Sequence, residues 1–292
     1  MISPALSFSL SRAQDYLELA KPRLVSLVLL SAAVGFFLAA DGAVQAAVVL
    51  PVLCGTALVA AGAMALNQWM ERDEDARMAR TMTRPLPAGR LQPEAALVFG
   101  AGLSLSGLAI LFLAVNSLTA LLALITLTSY LFLYTPLKRR STLCTIVGAV
   151  PGAIPPLIGW AAAQGRPSYE AWILFAIIFL WQMPHFLAIA WIYREQYAAG
   201  GFRMLSVEDP SGLKVGRQIV LYSFALLPVS LLPTVAGLTG PLYFFSALTL
   251  GAGFITLALK SAGRMEQNAR LLFRASVFYL ALLLVMMVVD KV

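Results

Sequence analysis

The sequence predicts an all-α polytopic membrane protein, nine transmembrane helices in one bundle with its polar loops gathered on the cytoplasmic side. Three observations carry that expectation. Only 12% of the 292 residues are charged while 60% are hydrophobic, with a mean hydropathy of +0.83; an ordinary soluble domain carries roughly 25% charge. Apolar stretches fall at 24–40, 44–66, 95–115, 117–134, 142–162, 169–193, 217–238, 240–259 and 273–289, each near the length that crosses about 30 Å of hydrocarbon. None shows the polar/apolar alternation of barrel strands, and backbone groups in a bilayer have no water to satisfy them, so these runs must be helical.

Taken in order, the runs are separated by loops of sharply unequal charge. The first follows Arg12, Lys21 and Arg23 and is long enough to span. No separate h-region with a cleavage site precedes it, so it is expected to remain as a membrane helix. The arginine-poor N-terminal segment favours a bacterial plasma (inner) membrane over a mitochondrial inner membrane. Arg72, Arg77, Arg80, Arg84 and Arg90 follow the second run, and Lys138, Arg139 and Arg140 the fourth. Arg194, Arg203, Lys214 and Arg217 follow the sixth, and Lys260, Arg264, Arg270 and Arg274 the eighth. Of the 21 Lys and Arg residues only Arg166 and Lys291 fall on the other side. Basic loops stay in the cytoplasm, which places the N-terminus there. No low-complexity linker divides residues 1–292, which read as a single domain.

Composition also bounds the chemistry. One histidine and two cysteines cannot build a multi-histidine metal centre or a cysteine-rich zinc or iron–sulfur site, so a catalytic metal must be held mainly by oxygen. Cys54 and Cys144 read as buried small hydrophobes. Of the 14 acidic residues, Glu71, Asp73, Glu74 and Asp75 crowd just past the second apolar run. Asn67, Glu71 and Asp75 line one face if that helix continues past the membrane. Two carboxylates and an amide oxygen suit Mg²⁺, and Arg72, Arg77, Arg80 and Arg84 beside them match phosphate oxygens. The alternative is a solvated mixed-charge loop. Against it stand an amide, Asn67, at the end of an apolar helix and the shaped Arg84-Pro85-Leu86-Pro87-Ala88-Gly89 connection.

A second polar site lies in Trp181-Gln182-Met183-Pro184-His185-Phe186, where Pro184 is expected to kink the helix near Gln182 and His185. Three readings of His185 stay open: a packed, hydrogen-bonded intramembrane histidine, contact with a bound tetrapyrrole including iron ligation, or proton handling. No Asp, Glu, Lys or Arg lies deep within the nine apolar cores, which moves ion-coupled transport behind enzyme chemistry. Polar groups above a greasy bundle suit a substrate with an anionic head and a hydrocarbon tail.

Lys21-Pro22-Arg23, the stretch from Asn67 to Asp75, and Thr83 through Gly89 resemble the intramembrane prenyltransferase superfamily. Tyr134-Thr135-Pro136-Leu137-Lys138-Arg139, Gly148 through Pro156, Trp181 through Phe186, and Tyr197 with Met204-Leu205-Ser206-Val207 narrow the resemblance to its haem-farnesylating branch, the protohaem IX farnesyltransferases. The resemblance runs from about residue 16 to about residue 217. It implies transfer of a farnesyl group from farnesyl diphosphate to the 2-vinyl group of haem B with addition of water, giving haem O and diphosphate. It implies Mg²⁺ as cofactor, Asn67, Glu71 and Asp75 as metal and catalytic residues, and Glu195 and Tyr197 of a second motif as catalytic. Arg72, Arg77 and Arg84 are expected to serve the diphosphate, and Lys138, Arg139 or Arg194 the haem propionates, the alternative for each being a surface charge that only sets topology; His185 would serve the haem. Phe179 or Trp181 would stabilise an allylic cation if they face the cavity.

The family writes Asp where Glu71 stands, and Asp where Gln196 stands, which puts a metal role for Gln196 in doubt. The implied partners are haem B, farnesyl diphosphate, the lipid bilayer, and a haem A synthase or terminal oxidase assembly; no nucleic acid is implied. The rival readings are a prenyltransferase for an aromatic quinone precursor and a haem or lipid carrier without chemistry.

Overall fold

The computed structural model describes residues 4–40 and 46–292. It is built from helices: α1 (Pro4–Ala20), α2 (Pro22–Ala39), α3 (Ala46–Met70), α4 (Arg72–Asp75), α5 (Pro93–Ala114), α6 (Ser117–Thr128), a π-helical segment Ser129–Tyr134, α7 (Thr135–Leu137), α8 (Cys144–Ala153), α9 (Pro155–Gln164), α10 (Tyr169–Ile192), α11 (Arg194–Ala199), α12 (Leu205–Glu208), α13 (Leu213–Val235), α14 (Pro241–Ser261) and α15 (Met265–Val289). Among the described residues nine helical spans are long and apolar enough to cross a membrane. The protein is a multi-pass membrane protein. Prolines open α2, α5, α9 and α14, where the missing N–H would have had no helical partner.

The spans pack as two groups. α2, α3, α5 and α6 lie against one another and on α9, while α10, α13, α14 and α15 form the second group, with α8 and α9 bridging to α10. Gly159 brings the backbones of α9 and α2 together; a side chain there would overlap the Ala32 carbonyl. At one end of the bundle Lys291 donates to the carbonyls of Phe37 and Ala40, both at 2.7 Å, tying the end of α15 to the end of α2. Gln164 donates to the Ala39 carbonyl there at 3.1 Å.

Several expectations need correction. α1 precedes the first apolar run and has no counterpart among the expected helices. It lies on α3, with Leu19 fully buried against Ala65, Leu86, Leu91 and Ala96, and Arg90 holds it by reaching Asp15 and Glu18, each at 2.7 Å. The ninth span starts at Met265, because Glu266, Arg270 and Arg274 depress hydropathy without breaking a helix. α3 does not continue as one regular helix past the membrane: it ends at Met70, Glu71 turns away at φ −104° and ψ 13°, and α4 follows. Cys54 is exposed and only Cys144 is buried; the outer face of a membrane bundle is apolar too, so apolar neighbours do not imply burial.

Candidate active site

The end of α3, the loop to α5, the end of the fourth span and α11–α12 meet at the end of the bundle opposite Lys291. Although α3 breaks at Glu71, the backbone keeps its helical spacing, with Glu71 N–H donating to Asn67 O at 3.0 Å and Asp75 N–H to Glu71 O at 2.8 Å. Asn67, Glu71 and Asp75 therefore stay together, and all three are buried. The π-helical segment shapes the floor beneath them. A widened turn inside an α-helix often marks a functional site; here it sets Thr135 where its hydroxyl donates to Tyr130 O at 2.9 Å and accepts from Asn67 Nδ2 at 3.0 Å. That engages one of the two amide N–H donors and orients the side chain, and no hydrogen bond reaches Asn67 Oδ1 among the described residues.

Cations hold the acids. Lys138 Nζ lies 2.6 Å from Glu71 Oε1 and donates to Oε2 at 2.8 Å, both side chains being buried. Burial alone would lower the pKa of the Lys138 ammonium, but the Glu71 carboxylate, with Tyr130 and Tyr197 beside it, more than offsets that, and the pKa is raised. Arg84 Nη1 meets Asp75 Oδ2 at 2.6 Å, and Arg139 meets Glu74 at 2.6 Å. The Thr81 hydroxyl fixes the loop by donating to Asp75 O at 2.8 Å. Lys21, at the start of α2, stands in the field of the same groups. Burial and the nearby Arg84 and Lys138 push its pKa down to about 7 against the pull of Asp75 and Glu71. Among the described residues it is the one non-glycine with a left-handed backbone, at φ 48°, a conformation costing about 1–2 kcal/mol that tends to persist at functional sites.

The second motif clasps the first loop. Gln196 Oε1 accepts from the Arg80 backbone N–H at 3.0 Å, and the Tyr197 hydroxyl accepts from the Arg80 side chain at 3.3 Å. The Arg80 guanidinium also lies over the rings of Tyr193 and Tyr197, at 4.7 and 5.1 Å. Gln196 thus serves as a loop clamp.

The structure brings together Asn67, Glu71, Asp75, Arg84 and Lys138, with Tyr197 at the rim through Arg80. It does not bring Glu195 to them: that side chain is 88% exposed and lies 3.9 Å from Arg194. Arg194 turns toward α15, meeting Glu266 at 3.0 Å and stacking over Trp191. Arg72 folds back onto the Trp69 carbonyl at 3.0 Å, and Arg77 is exposed. Of the three residues expected near the haem propionates, Lys138 lies in the acid cluster, Arg139 on Glu74 and Arg194 beside α15. His185 faces α15, separately from the acids, with Nδ1 at 2.8 Å from Ser276 Oγ. Trp181 donates to the Ser276 carbonyl at 2.6 Å and Phe179 stacks on Phe175. Lys21 and Thr135 are site residues to which the sequence reading gave no role. Both lie in motifs that carry the family resemblance, and Lys21 also stands immediately before a helix-opening proline; nothing local gives Thr135 its role, because its placement depends on the π turn.

The donor set fits a hard divalent cation. Glu71 Oε1 is buried and ion-paired with Lys138 but accepts no hydrogen bond, none reaches Asn67 Oδ1 among the described residues, and the ligand atoms these side chains offer are oxygens. No group of three or more His, Cys, Asp or Glu that would hold a metal is present among the described residues. Two carboxylates and an amide leave positions for substrate phosphate and water, the arrangement Mg²⁺ prefers.

Residues 28–287 match the family model described as the UbiA prenyltransferase family. The chain belongs to the UbiA prenyltransferase family. Within it, the chain is 47% identical over 288 residues to a protohaem IX farnesyltransferase of Solibacter usitatus, covering 95% of this chain and 99% of the relative. It is 44% identical over 283 residues to one of Opitutus terrae, covering 96% of each. A solved digeranylgeranylglyceryl phosphate synthase superposes with a TM-score of 0.81 at 17% identity, over 96% of this chain and 98% of that one. A UbiA homologue of Archaeoglobus fulgidus, bound to DMAPP and Mg²⁺, superposes with a TM-score of 0.67 at 14% identity, over 94% of this chain and 97% of that one. These two likenesses establish the UbiA fold for the bundle.

Proposed function

We propose that this chain transfers the farnesyl group of farnesyl diphosphate to the 2-vinyl group of haem B, with addition of water, giving haem O and releasing diphosphate. One observation carries the reading: relatives at 41–47% identity along nearly the whole chain bear the name protohaem IX farnesyltransferase. The charge-dense end of the bundle supports the chemistry. Asn67 Oδ1, Glu71 and Asp75 would hold Mg²⁺, which when bound neutralises charge on the diphosphate as the allylic C–O bond breaks. Lys21, Arg84 and Lys138 leave the cluster net positive when Lys21 is protonated, so the site attracts an anionic head group and stabilises the negative charge that grows on it. The apolar spans below take the hydrocarbon tail and keep water from the farnesyl cation until the vinyl carbon captures it. Water then adds to the haem-stabilised cation.

The reading places the protein in a bacterial inner membrane with its N-terminus and acid cluster on the cytoplasmic side, in keeping with the basic loops that converge there. Haem O would pass on to a haem A synthase or a terminal oxidase assembly. The test incubates the purified protein with haem B, farnesyl diphosphate and Mg²⁺ and weighs the porphyrin product. A mass gain equal to farnesyl plus hydroxyl, dependent on Mg²⁺, is expected. Prenylation of an aromatic quinone precursor with haem B untouched, or haem binding without diphosphate release, would overturn it.

A further inference from the structure

His185 is the sole histidine of the chain, and its surroundings fix more than its position. Its ring lies between two aromatic faces, Trp181 on the preceding turn of α10 and Phe273 of α15, with both centroids at 4.8 Å and interplanar angles of 23° and 30°. Rotation of the imidazole is therefore blocked on both faces. Nδ1 lies 2.8 Å from Ser276 Oγ, and the same Oγ lies 2.7 Å from the carbonyl oxygen of Phe273. Ser276 is fully buried, and the Trp181 indole N–H, donating to the Ser276 carbonyl at 2.6 Å, locks that turn of α15 against α10.

A hydroxyl has one hydrogen to give, and a carbonyl oxygen can only accept. Were the Ser276 hydrogen aimed at Nδ1, the hydroxyl and carbonyl oxygens would face each other lone pair to lone pair at 2.7 Å. Both contacts are attractive in one arrangement: Ser276 O–H donates to Phe273 O, and His185 Nδ1–H donates to Ser276 Oγ. A neutral imidazole carries a single N–H, so Nε2 then holds a lone pair. No hydrogen bond occupies Nε2 among the described residues, and the ring is only half-buried.

We propose that Ser276 is a positioning residue that holds His185 in the Nδ1–H tautomer and so presents Nε2 as an axial ligand to the iron of bound haem. The proposal rests on the haem-farnesylating function above and names the group that grips that substrate. Histidines that bind metals generally donate their other ring N–H to a neighbouring acceptor, which fixes the tautomer and tunes the ligand. A carboxylate acceptor would lend the imidazole negative charge and strengthen the iron bond. A neutral serine hydroxyl lends little, which suits a haem that enters as substrate and leaves as product.

Because the chain has one histidine, ¹⁵N-labelled histidine in the full-length protein in nanodiscs reports this site alone. The expected spectrum shows a protonated Nδ1 and an unprotonated Nε2 before haem is added. Ser276→Ala is expected to mix the tautomers and to weaken ferric haem B binding by about tenfold to a hundredfold, with a matching loss of the absorption spectrum of imidazole-ligated haem; His185→Ala should abolish that spectrum. A protonated Nε2 in the wild-type protein overturns the proposal without any variant. Haem binding whose spectrum and affinity are unchanged in His185→Ala overturns it while leaving the farnesyl-transfer reading intact. Failure of the wild-type protein to bind haem B at all overturns both.

Discussion

The two polar regions solve the problem of burial in opposite ways. At the acid cluster, buried carboxylates are met by buried cations, Lys138 on Glu71 and Arg84 on Asp75. At His185 there is no charge: a hydroxyl, two carbonyls and two aromatic rings satisfy the imidazole and the indole beside it. Ion pairs can exchange partners, so the first region can open toward a metal and a diphosphate when these arrive. Oriented neutral dipoles wedged between rings cannot rearrange without losing packing, so the second region is suited to hold one geometry. The charged region fits the changing charge of bond breaking, the neutral one the placement of a flat, apolar partner.

The largest test of that contrast is Asp75→Asn. Removing the charge should cut product formation by about a thousandfold, the equivalent of about 4 kcal/mol of transition-state stabilisation, while circular dichroism and gel filtration stay those of the folded protein; haem binding should be unchanged. Next is Lys138→Met, which leaves Glu71 buried without its partner. A loss of about 3–5 kcal/mol is expected, read as a lower melting temperature in detergent, and Glu71→Gln added to it should recover most of the loss. If the double variant is as unstable as the single one, the pair is not what holds this end together.

On the neutral side, Gly152→Ala sets a methyl group into the Gln182 side-chain oxygen. Gln182 Nε2 donates to Ala149 O and Ile178 O, each at 3.2 Å, and pins α8 to α10 one turn before His185. Overpacking there should cost about 1–3 kcal/mol, with haem affinity falling more than diphosphate affinity in separate titrations. The smallest expected effect is a pH dependence. Lys21 has its pKa lowered to about 7, so it is charged below that pH and neutral above it. Diphosphate affinity should therefore fall by up to about tenfold per pH unit as the pH rises past 7, and Lys21→Arg should flatten the profile. The opposite sign holds for folding: the unfolded chain keeps that proton up to the ordinary lysine range, so this group's contribution to stability rises from pH 7 toward 10.5.

What was legible in the sequence follows from which forces leave a linear trace. Length and hydropathy announce membrane helices, and the nine spans lie close to their expected positions. Charge clusters are local, so Glu71 and Asp75 stood out beside the arginines. The break at Glu71 and the π turn before Thr135 left no such trace, because both depend on how the second and fourth spans meet. Ser276 is a small residue in an apolar run 91 positions from His185, and nothing in its neighbourhood marks it. Gln196 looked like a lost metal ligand; only its contact with the Arg80 backbone, 116 residues away, shows what the amide does instead.

The order of assembly follows from where these partners lie along the chain. The acid cluster and the groups around it are complete by α11, all drawn from residues 21–197. Phe273 and Ser276, which orient His185, belong to α15, the same helix whose far end delivers Lys291 to the carbonyls of α2. A chain emerging into the membrane therefore carries the groups proposed to bind diphosphate well before its histidine is oriented. The haem-side geometry is finished by the helix that also seals the first span to the last, so only a fully inserted bundle presents both substrates with a site.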